Sequence, residues 1–156
     1  MAVSAYIAHL RTHIGHDLLL IPAATALIHD GDGRLLLVRQ SDSGQWAVVG
    51  GAIDPGESPS EAAVREAKEE TGFDVYIDQL LGVVGGGDEF EITYPNGDRV
   101  AYISTIYAAG VLSGEITPDG DEVTAIEWFD KAKLALADLH PFSRSLLAKF
   151  GYLPLT

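Results

Sequence analysis

Three glutamates near the middle of the chain are spaced so that they could bind a metal ion. Glu66, Glu69 and Glu70 stand at positions i, i+3 and i+4, which places them on one face of an α-helix. Their charges repel one another, and in the C-terminal half of a helix the macrodipole also disfavours them. A divalent cation reverses these costs, because hard cations prefer clustered oxygen ligands. The spacing indicates a metal site, while a solvated acidic face has the same pattern.

The segment that carries these glutamates has clear helix start and stop signals. Ser58 is a predicted N-cap, Pro59 occupies the first helical position, and Glu61 completes a capping box. Gly72 supplies the left-handed residue that commonly follows a helix. We therefore predict a helix over residues 58–71.

The sequence around this helix, GAIDPGESPSEAAVREAKEETGF, runs from Gly51 to Phe73. It resembles the signature box of the Nudix hydrolases, and every specified position of the box matches. The preceding stretch SGQWAVVGG is similar to the strand that leads into the box, with Val49 where many members have proline. The wider resemblance extends from about Pro22 to Phe150.

The resemblance implies a Mg²⁺-dependent hydrolase, with Mn²⁺ as a substitute, that cleaves the pyrophosphate linkage of a nucleoside diphosphate derivative. A nucleoside triphosphate and a nucleotide sugar both fit this description. Metal ions neutralise the phosphates and lower the pKa of bound water, and attack at phosphorus then needs mainly positioning and charge stabilisation. The implied metal ligands are Gly50 through its carbonyl, Glu57 as a further ligand or a neighbour of the ligands, Glu66, Glu69 and Glu70.

The same resemblance implies catalytic roles for four residues. Glu66 and Glu69 are candidates for the general base, and Arg65 is expected to orient the glutamates. Some relatives take the base from a later loop, for which Glu122 is our first choice here and Asp121 the second. An ordinary acidic turn has the same composition as this loop.

Two other functions of the same fold were weighed. A Nudix-fold nucleotide-binding regulator without catalysis is the alternative, but such proteins usually lack one of the box glutamates, and all are present here. An isomerase of isoprenoid diphosphates normally needs a cysteine, and the chain has none. Hydrolysis is therefore the favoured interpretation.

The composition limits the partners. The net charge is −13, with only 10 Lys and Arg residues, whereas duplex nucleic acids need basic patches that release counterions. A small phosphorylated nucleotide fits if cations supply positive charge. The longest apolar run, residues 18–28, contains Pro22 and falls short of the roughly 20 residues of a membrane helix. We expect a cytoplasmic protein without a membrane partner, and the apolar residues 18–21 favour a homodimer or docking on the domain.

The other predicted strands and helices form the fold that positions this box. We predict strands alternating with helices in an α/β fold, specifically a Nudix-type α/β/α sandwich with a central mixed β-sheet. Residues 1–20 are predicted to form an N-terminal arm or short helix and residues 21–152 the hydrolase domain. The predicted strands cover residues 22–29, 34–39, 45–49, 73–84, 89–94, 99–111 and 123–129, and the later helices 130–137 and 142–150. His140 is interpreted as a capping or surface residue.

Overall fold

The computed structural model describes residues 3–155, and its elements follow the predicted order. The helices are α1 (Ala5–Ile14), α2 (Pro59–Thr71), α3 (Lys131–Leu136) and α4 (Pro141–Lys149). The strands are β1 (Leu19–His29), β2 (Leu35–Gln40), β3 (Trp46–Ala47), β4 (Val49–Ala52), β5 (Phe73–Gly85), β6 (Glu91–Thr93), β7 (Arg99–Gly114) and β8 (Val123–Phe129).

The strands of the described chain form one mixed sheet. Its main order is β3-β2-β1-β7-β5, while β4 pairs with β1, β6 with β7 and β8 with β2. Strands β1 and β7 run parallel, from Leu19 opposite Val100 to His29 opposite Gly110. The other pairs are antiparallel. The predicted mixed sheet is confirmed.

Helices cover both faces of this sheet. On one face, α2 buries its alanines in a cluster with the inward side chains of β1, β5 and β7. On the other face, Leu146 and Leu147 of α4 and Leu134 of α3 pack with Leu27 and Leu37. The arrangement is the predicted α/β/α sandwich, because each face of the sheet is apolar and must be covered.

Four predicted strands differ from the observed ones by two residues or more. Strand β1 begins at Leu19 rather than at residue 22, and β7 ends at Gly114 rather than at residue 111. The strand expected at residues 89–94 begins only at Glu91, because Asp88–Phe90 forms a 3₁₀ turn closed by the Phe90 N–H donating to the Gly87 carbonyl at 2.9 Å. The strand expected at 45–49 is interrupted at Val48, whose N–H donates to the Ser143 hydroxyl at 3.0 Å rather than to a neighbouring strand.

The N-terminal segment forms the short helix α1. The Arg11 guanidinium ties this helix to the sheet by donating to the carbonyls of Asp17 at 2.6 Å and Arg99 at 2.8 Å. Leu20 is exposed, while Ile21 is buried. Residues 1 and 2 lie outside the described residues. The domain boundary at residue 20, the homodimer and the cytoplasmic location stay predictions. No helix within residues 3–155 is both long and apolar enough to cross a bilayer.

Candidate active site

The ends of α2 fix where its glutamates lie. The Ser58 hydroxyl accepts the Glu61 N–H at 3.2 Å, and the Glu61 carboxylate accepts the Ser58 N–H at 2.8 Å, so the predicted capping box is present. Gly72 follows the helix with φ of 82°, a left-handed conformation that favours glycine. Because both ends of α2 are fixed, the position of each box glutamate along the helix is fixed, and so is the side of the helix from which it projects.

Two of the three box glutamates on α2 are buried. Glu66 and Glu70 are 7% and 8% exposed, whereas the Glu69 side chain is 55% exposed. Burial raises the pKa of Glu66 above its usual value and raises that of Glu70 well above it, because a charged carboxylate loses its hydration. Buried negative charge that is only partly compensated is the electrostatic feature that distinguishes this site from a solvated acidic face.

The Arg65 guanidinium connects the predicted site residues to one another. It donates to both oxygens of Glu57, at 2.6 and 3.0 Å, and to Glu66 at 2.9 Å and Glu69 at 3.3 Å. It also donates to the Ala52 carbonyl at 3.0 Å, which attaches it to β4. The hydrogen bond with Arg65 lowers the pKa of Glu57 and raises that of Arg65 itself. One cation therefore holds carboxylates from the loop before α2 and from α2.

The paired glycines of β4 allow the closest approach between the sheet and α2. A Cβ atom on Gly51 would lie 2.3 Å from Glu66 Oε1, and one on Gly50 would lie 2.4 Å from the Ala24 carbonyl oxygen. The Gly50 N–H donates to Glu70 Oε2 at 3.2 Å. Gly51 is needed for its close contact with α2 and Gly50 for its close contact with β1. The ligand role of the Gly50 carbonyl stays a prediction.

The loop before β8 faces the same cleft. Glu122, Asp121 and Asp119 line it together with Glu66, Glu69 and Glu70 of α2, and we call this region the acidic cleft. The structure therefore brings the later-loop candidates to the box glutamates, although sequence separation gave no distance between them.

Asp119 is a residue of this loop that the sequence did not single out. Its Oδ1 accepts the N–H groups of Asp121 at 3.0 Å, Glu122 at 2.9 Å and Val123 at 3.0 Å. These hydrogen bonds lower the pKa of Asp119, the contribution of Val123 being the largest. The Asp-Gly-Asp sequence was a visible turn signal, but it did not show that the turn would hold Glu122.

The donor atoms of the acidic cleft suit a hard divalent cation. They are carboxylate oxygens, which Mg²⁺ prefers, and Asp54 Oδ1 nearby is buried without a hydrogen-bond partner within the described chain. Among residues 3–155, no group of three or more His, Asp or Glu side chains is already arranged as a metal cage. Arg65 instead contacts four carboxylates, those of Asp54, Glu57, Glu66 and Glu69.

A second cavity also reaches Glu70, and its wall is of a different kind. Tyr94, Tyr102 and Phe142 line it together with Asp42 and His140, and we call it the aromatic pocket. The hydroxyls of Tyr94 and Tyr102 are hydrogen-bonded at 2.8 Å. The pocket was missed in the sequence, because its residues come from four separate parts of the chain and form no local motif.

Comparisons with known proteins show the family to which this chain belongs. The NUDIX domain family model matches residues 19–150. A putative 8-oxo-dGTP diphosphatase from Bacillus subtilis (strain 168) is 28% identical over 113 residues, covering 72% of this chain and 68% of that protein. The nucleoside triphosphatase NudI of Salmonella agona (strain SL483) is 32% identical over 129 residues, covering 78% of this chain and 91% of NudI.

Solved structures show the same relationship. A MutT NUDIX hydrolase from Burkholderia pseudomallei superposes with a TM-score of 0.64 at 29% identity, covering 83% of this chain and 96% of that one. The chain belongs to the Nudix family, and it is a hydrolase acting on phosphorus anhydrides.

Proposed function

We propose that this chain is a Mg²⁺-dependent hydrolase that cleaves the pyrophosphate linkage of a nucleoside triphosphate. The observation that carries the proposal is the burial of Glu66 and Glu70 in a cleft that Glu69 and Glu122 also line. Buried, mutually repelling carboxylates carry a free-energy cost when they are ionised at neutral pH, and a bound cation removes this cost. Among the names of relatives, an 8-oxo-dGTP diphosphatase and a nucleoside triphosphatase point to a triphosphate, and an ADP-ribose pyrophosphatase points to a nucleoside diphosphate linked to another group, two classes that a nucleotide panel distinguishes.

The residues divide into those that hold the cation and those that hold the ligands in place. Glu66, Glu69, Glu70 and the Gly50 carbonyl would bind Mg²⁺. Glu57 is engaged through both oxygens by Arg65, so it acts by fixing the guanidinium. Arg65 in turn restrains the carboxylates of Glu66 and Glu69. Bound Mg²⁺ supplies charge neutralisation of the pyrophosphate and a lowered pKa of water.

The remaining task is to accept a proton from the attacking water. Glu122 suits this role because it lines the acidic cleft from a different element than the glutamates of α2. Its loop is shaped by the three N–H groups that Asp119 accepts, so the Glu122 backbone is held in place. The products are a nucleoside monophosphate and inorganic pyrophosphate, and the water oxygen ends on one of them.

A nucleotide-binding regulator without catalysis is the second candidate. It has less support, because all of the box glutamates are present and the later acidic loop reaches the same cleft. The two functions differ in one measurable way. A regulator binds nucleotides without turnover in Mg²⁺ or Mn²⁺.

A nucleotide panel with Mg²⁺ tests the proposal. Nucleoside triphosphates and nucleotide sugars are incubated with the full chain, and inorganic pyrophosphate is distinguished from paired monophosphates by chromatography. We expect pyrophosphate release from triphosphates that stops when EDTA is added. Turnover of nucleotide sugars alone would show that the substrate is a nucleotide sugar and not a nucleoside triphosphate. Nucleotide binding without any turnover in Mg²⁺ or Mn²⁺ would favour the regulator.

A further inference from the structure

The aromatic pocket is suited to an uncharged planar group rather than to a second phosphate. Tyr94 and Phe142 give it aromatic surfaces, and Ala47 and Ile92 add apolar ones. No Lys or Arg of the described chain lines it, while the carboxylate of Asp42 does. Away from Gly50 and Glu70, which belong to the proposed cation site, a phosphate would meet the carboxylate of Asp42, whereas a nucleobase stacks on aromatic side chains.

His140 presents a hydrogen-bond donor to this pocket. Its Nδ1 accepts the Phe142 N–H at 3.3 Å, as the N-cap of α4. A backbone N–H can only donate, so Nδ1 carries no proton and Nε2 carries it in the neutral ring. Burial lowers the pKa of His140, because the charged ring would lose hydration. The ring is therefore neutral at pH 7, with Nε2–H available as a donor.

Asp42 presents acceptors at the same part of the pocket. Its carboxylate lies near enough to His140 and Tyr94 to raise the pKa of each electrostatically, although burial has the larger effect on both. An ionised carboxylate has two oxygens and no donor, and Oδ1 accepts only the N–H of the adjacent Ser43 at 2.7 Å among described contacts. The pocket thus combines a two-oxygen acceptor with one N–H donor.

Guanine matches this combination. Its hydrogen-bonding edge carries two adjacent donors, the ring N1–H and the 2-amino group, followed by the O6 acceptor. Adenine and cytosine each offer a single donor group beside a ring nitrogen with a lone pair, which a carboxylate cannot bond. Asp42 is exposed, so an analogue without the donor leaves this carboxylate to water and loses about tenfold in affinity, the value of one hydrogen bond to a charged acceptor.

We propose that the aromatic pocket binds the nucleobase of the substrate and that Asp42 determines specificity for guanine by accepting its N1–H and 2-amino N–H groups, with His140 donating to O6. This inference rests on the proposed function, since Glu70 lines both the aromatic pocket and the acidic cleft. The phosphates then lie in the acidic cleft and the base in the aromatic pocket.

The decisive comparison is between guanine and hypoxanthine nucleotides, which differ only in the 2-amino group. We expect the wild-type chain to show about tenfold higher kcat/KM for GTP than for ITP, the effect of one hydrogen bond to a charged acceptor. Asp42→Asn should reduce this ratio to about one. Asp32→Asn, an equal change of charge at an exposed turn outside both cavities, is the matched control and should keep the ratio.

The donor is tested separately. His140→Ser keeps a side chain suited to the N-cap of α4 but cannot reach O6. It should lower kcat/KM for GTP and ITP by the same factor, roughly tenfold, and leave their ratio unchanged. Thermal melting checks that the variant is folded.

Binding without metal separates this inference from the proposed hydrolysis. Calorimetry with GMP, IMP and AMP in EDTA should give the order GMP, IMP, AMP, with the first difference lost in Asp42→Asn. If this order holds while no triphosphate is cleaved, the inference stands and the proposed function fails. If the chain hydrolyses or binds guanine and hypoxanthine nucleotides equally, prefers adenine, or retains its ratio in Asp42→Asn, the inference is wrong. Absence of binding to all three monophosphates also overturns it.

Discussion

The acidic cleft and the aromatic pocket meet at Glu70 but are built in opposite ways. The acidic cleft draws most of its groups from one segment, the box from Gly51 to Phe73, joined by one later loop. The aromatic pocket takes its groups from strands β1, β2, β3, β4, β6 and β7, from the loops that follow β2 and β6, from α2 and from the start of α4. The cleft therefore has a local sequence pattern, whereas the pocket depends on how distant elements come together. The residues assigned to the reaction can therefore be recognised from their spacing in the sequence. The residues assigned to substrate choice can be recognised only once the chain is folded.

The two regions also differ in their charge. In the acidic cleft, carboxylates outnumber the single guanidinium of Arg65, and two of them are buried. The hydroxyls of the aromatic pocket bond in pairs, Thr25 with Ser104 at 2.9 Å and Tyr94 with Tyr102 at 2.8 Å. In the proposed function the cleft needs a cation, whereas these hydroxyls of the pocket are already hydrogen-bonded to one another. Variants in the cleft should therefore change the response to metal, and variants in the pocket should change how nucleotides bind without changing that response.

The largest expected effect is loss of a cation ligand. Glu69→Gln or Glu70→Gln should lower Mg²⁺-dependent kcat by about a thousandfold or more, because the charge that holds the cation is removed. Phosphate-release kinetics measure this, and Mg²⁺ should no longer raise the melting temperature. Glu115→Gln, at an exposed position outside the cleft, should behave as wild type. Full activity in either folded variant would show that the replaced glutamate is not a cation ligand.

Loss of the proposed base should be smaller and of a different kind. Glu122→Gln should lower kcat by about a hundredfold, within the usual range for a general base, while Mg²⁺ still stabilises the protein. Asp121→Asn tests the second choice in the same loop. If that change has the larger effect, the base is Asp121, and if neither has one, it lies in α2.

A methyl group in the close contact between β4 and α2 should disturb the cleft through packing. Gly51→Ala places a Cβ 2.3 Å from Glu66 Oε1, so Glu66 must move. We expect a loss of about 1–3 kcal/mol in the free energy of unfolding, measured by urea denaturation, and weaker Mg²⁺ binding by calorimetry. Gly31→Ala, where a Cβ would meet nothing within 4 Å, is the control. Equal effects of Gly51→Ala and Gly31→Ala would show that the contact between Gly51 and Glu66 limits neither stability nor Mg²⁺ binding.

The smallest expected effect is a gain in stability without metal. Burial raises the pKa of Glu70 in the folded chain, so the folded state binds its proton more tightly than the unfolded state. The contribution of Glu70 to the free energy of unfolding is then most favourable at low pH, and it falls as the pH rises above the unfolded pKa of about 4.3. Glu70→Gln lacks this decline.

The Glu70→Gln protein in EDTA should therefore melt at the same temperature as wild type near pH 4. It should melt roughly 2–4 °C higher at pH 7, which corresponds to about 1 kcal/mol. Scanning calorimetry across this range measures the difference. A variant that melts lower than wild type at pH 7 would show that the Glu70 charge is compensated within the protein.

Much of the fold and the acidic cleft could be predicted, because the signals were local. The capping box, the glycine after α2 and the i, i+3, i+4 glutamates each depend on neighbours within one or two helical turns. The packing of Glu66 on Gly51 could not be predicted, since it depends on how closely β4 approaches α2. His140 was correctly interpreted as a helix cap, but its position in the aromatic pocket required the fold.

The capping of α2 at both ends has a consequence for how the chain can change in length. Each residue added to a helix turns everything beyond it by about 100°. An insertion between Glu66 and Glu69 would therefore point the later glutamates into the alanine-lined core or into solvent. In the turn at residues 95–97 an added residue does not rotate the side chains that follow. This turn can therefore lengthen at little cost in free energy. Variation in length among related chains should avoid α2 and collect in such turns.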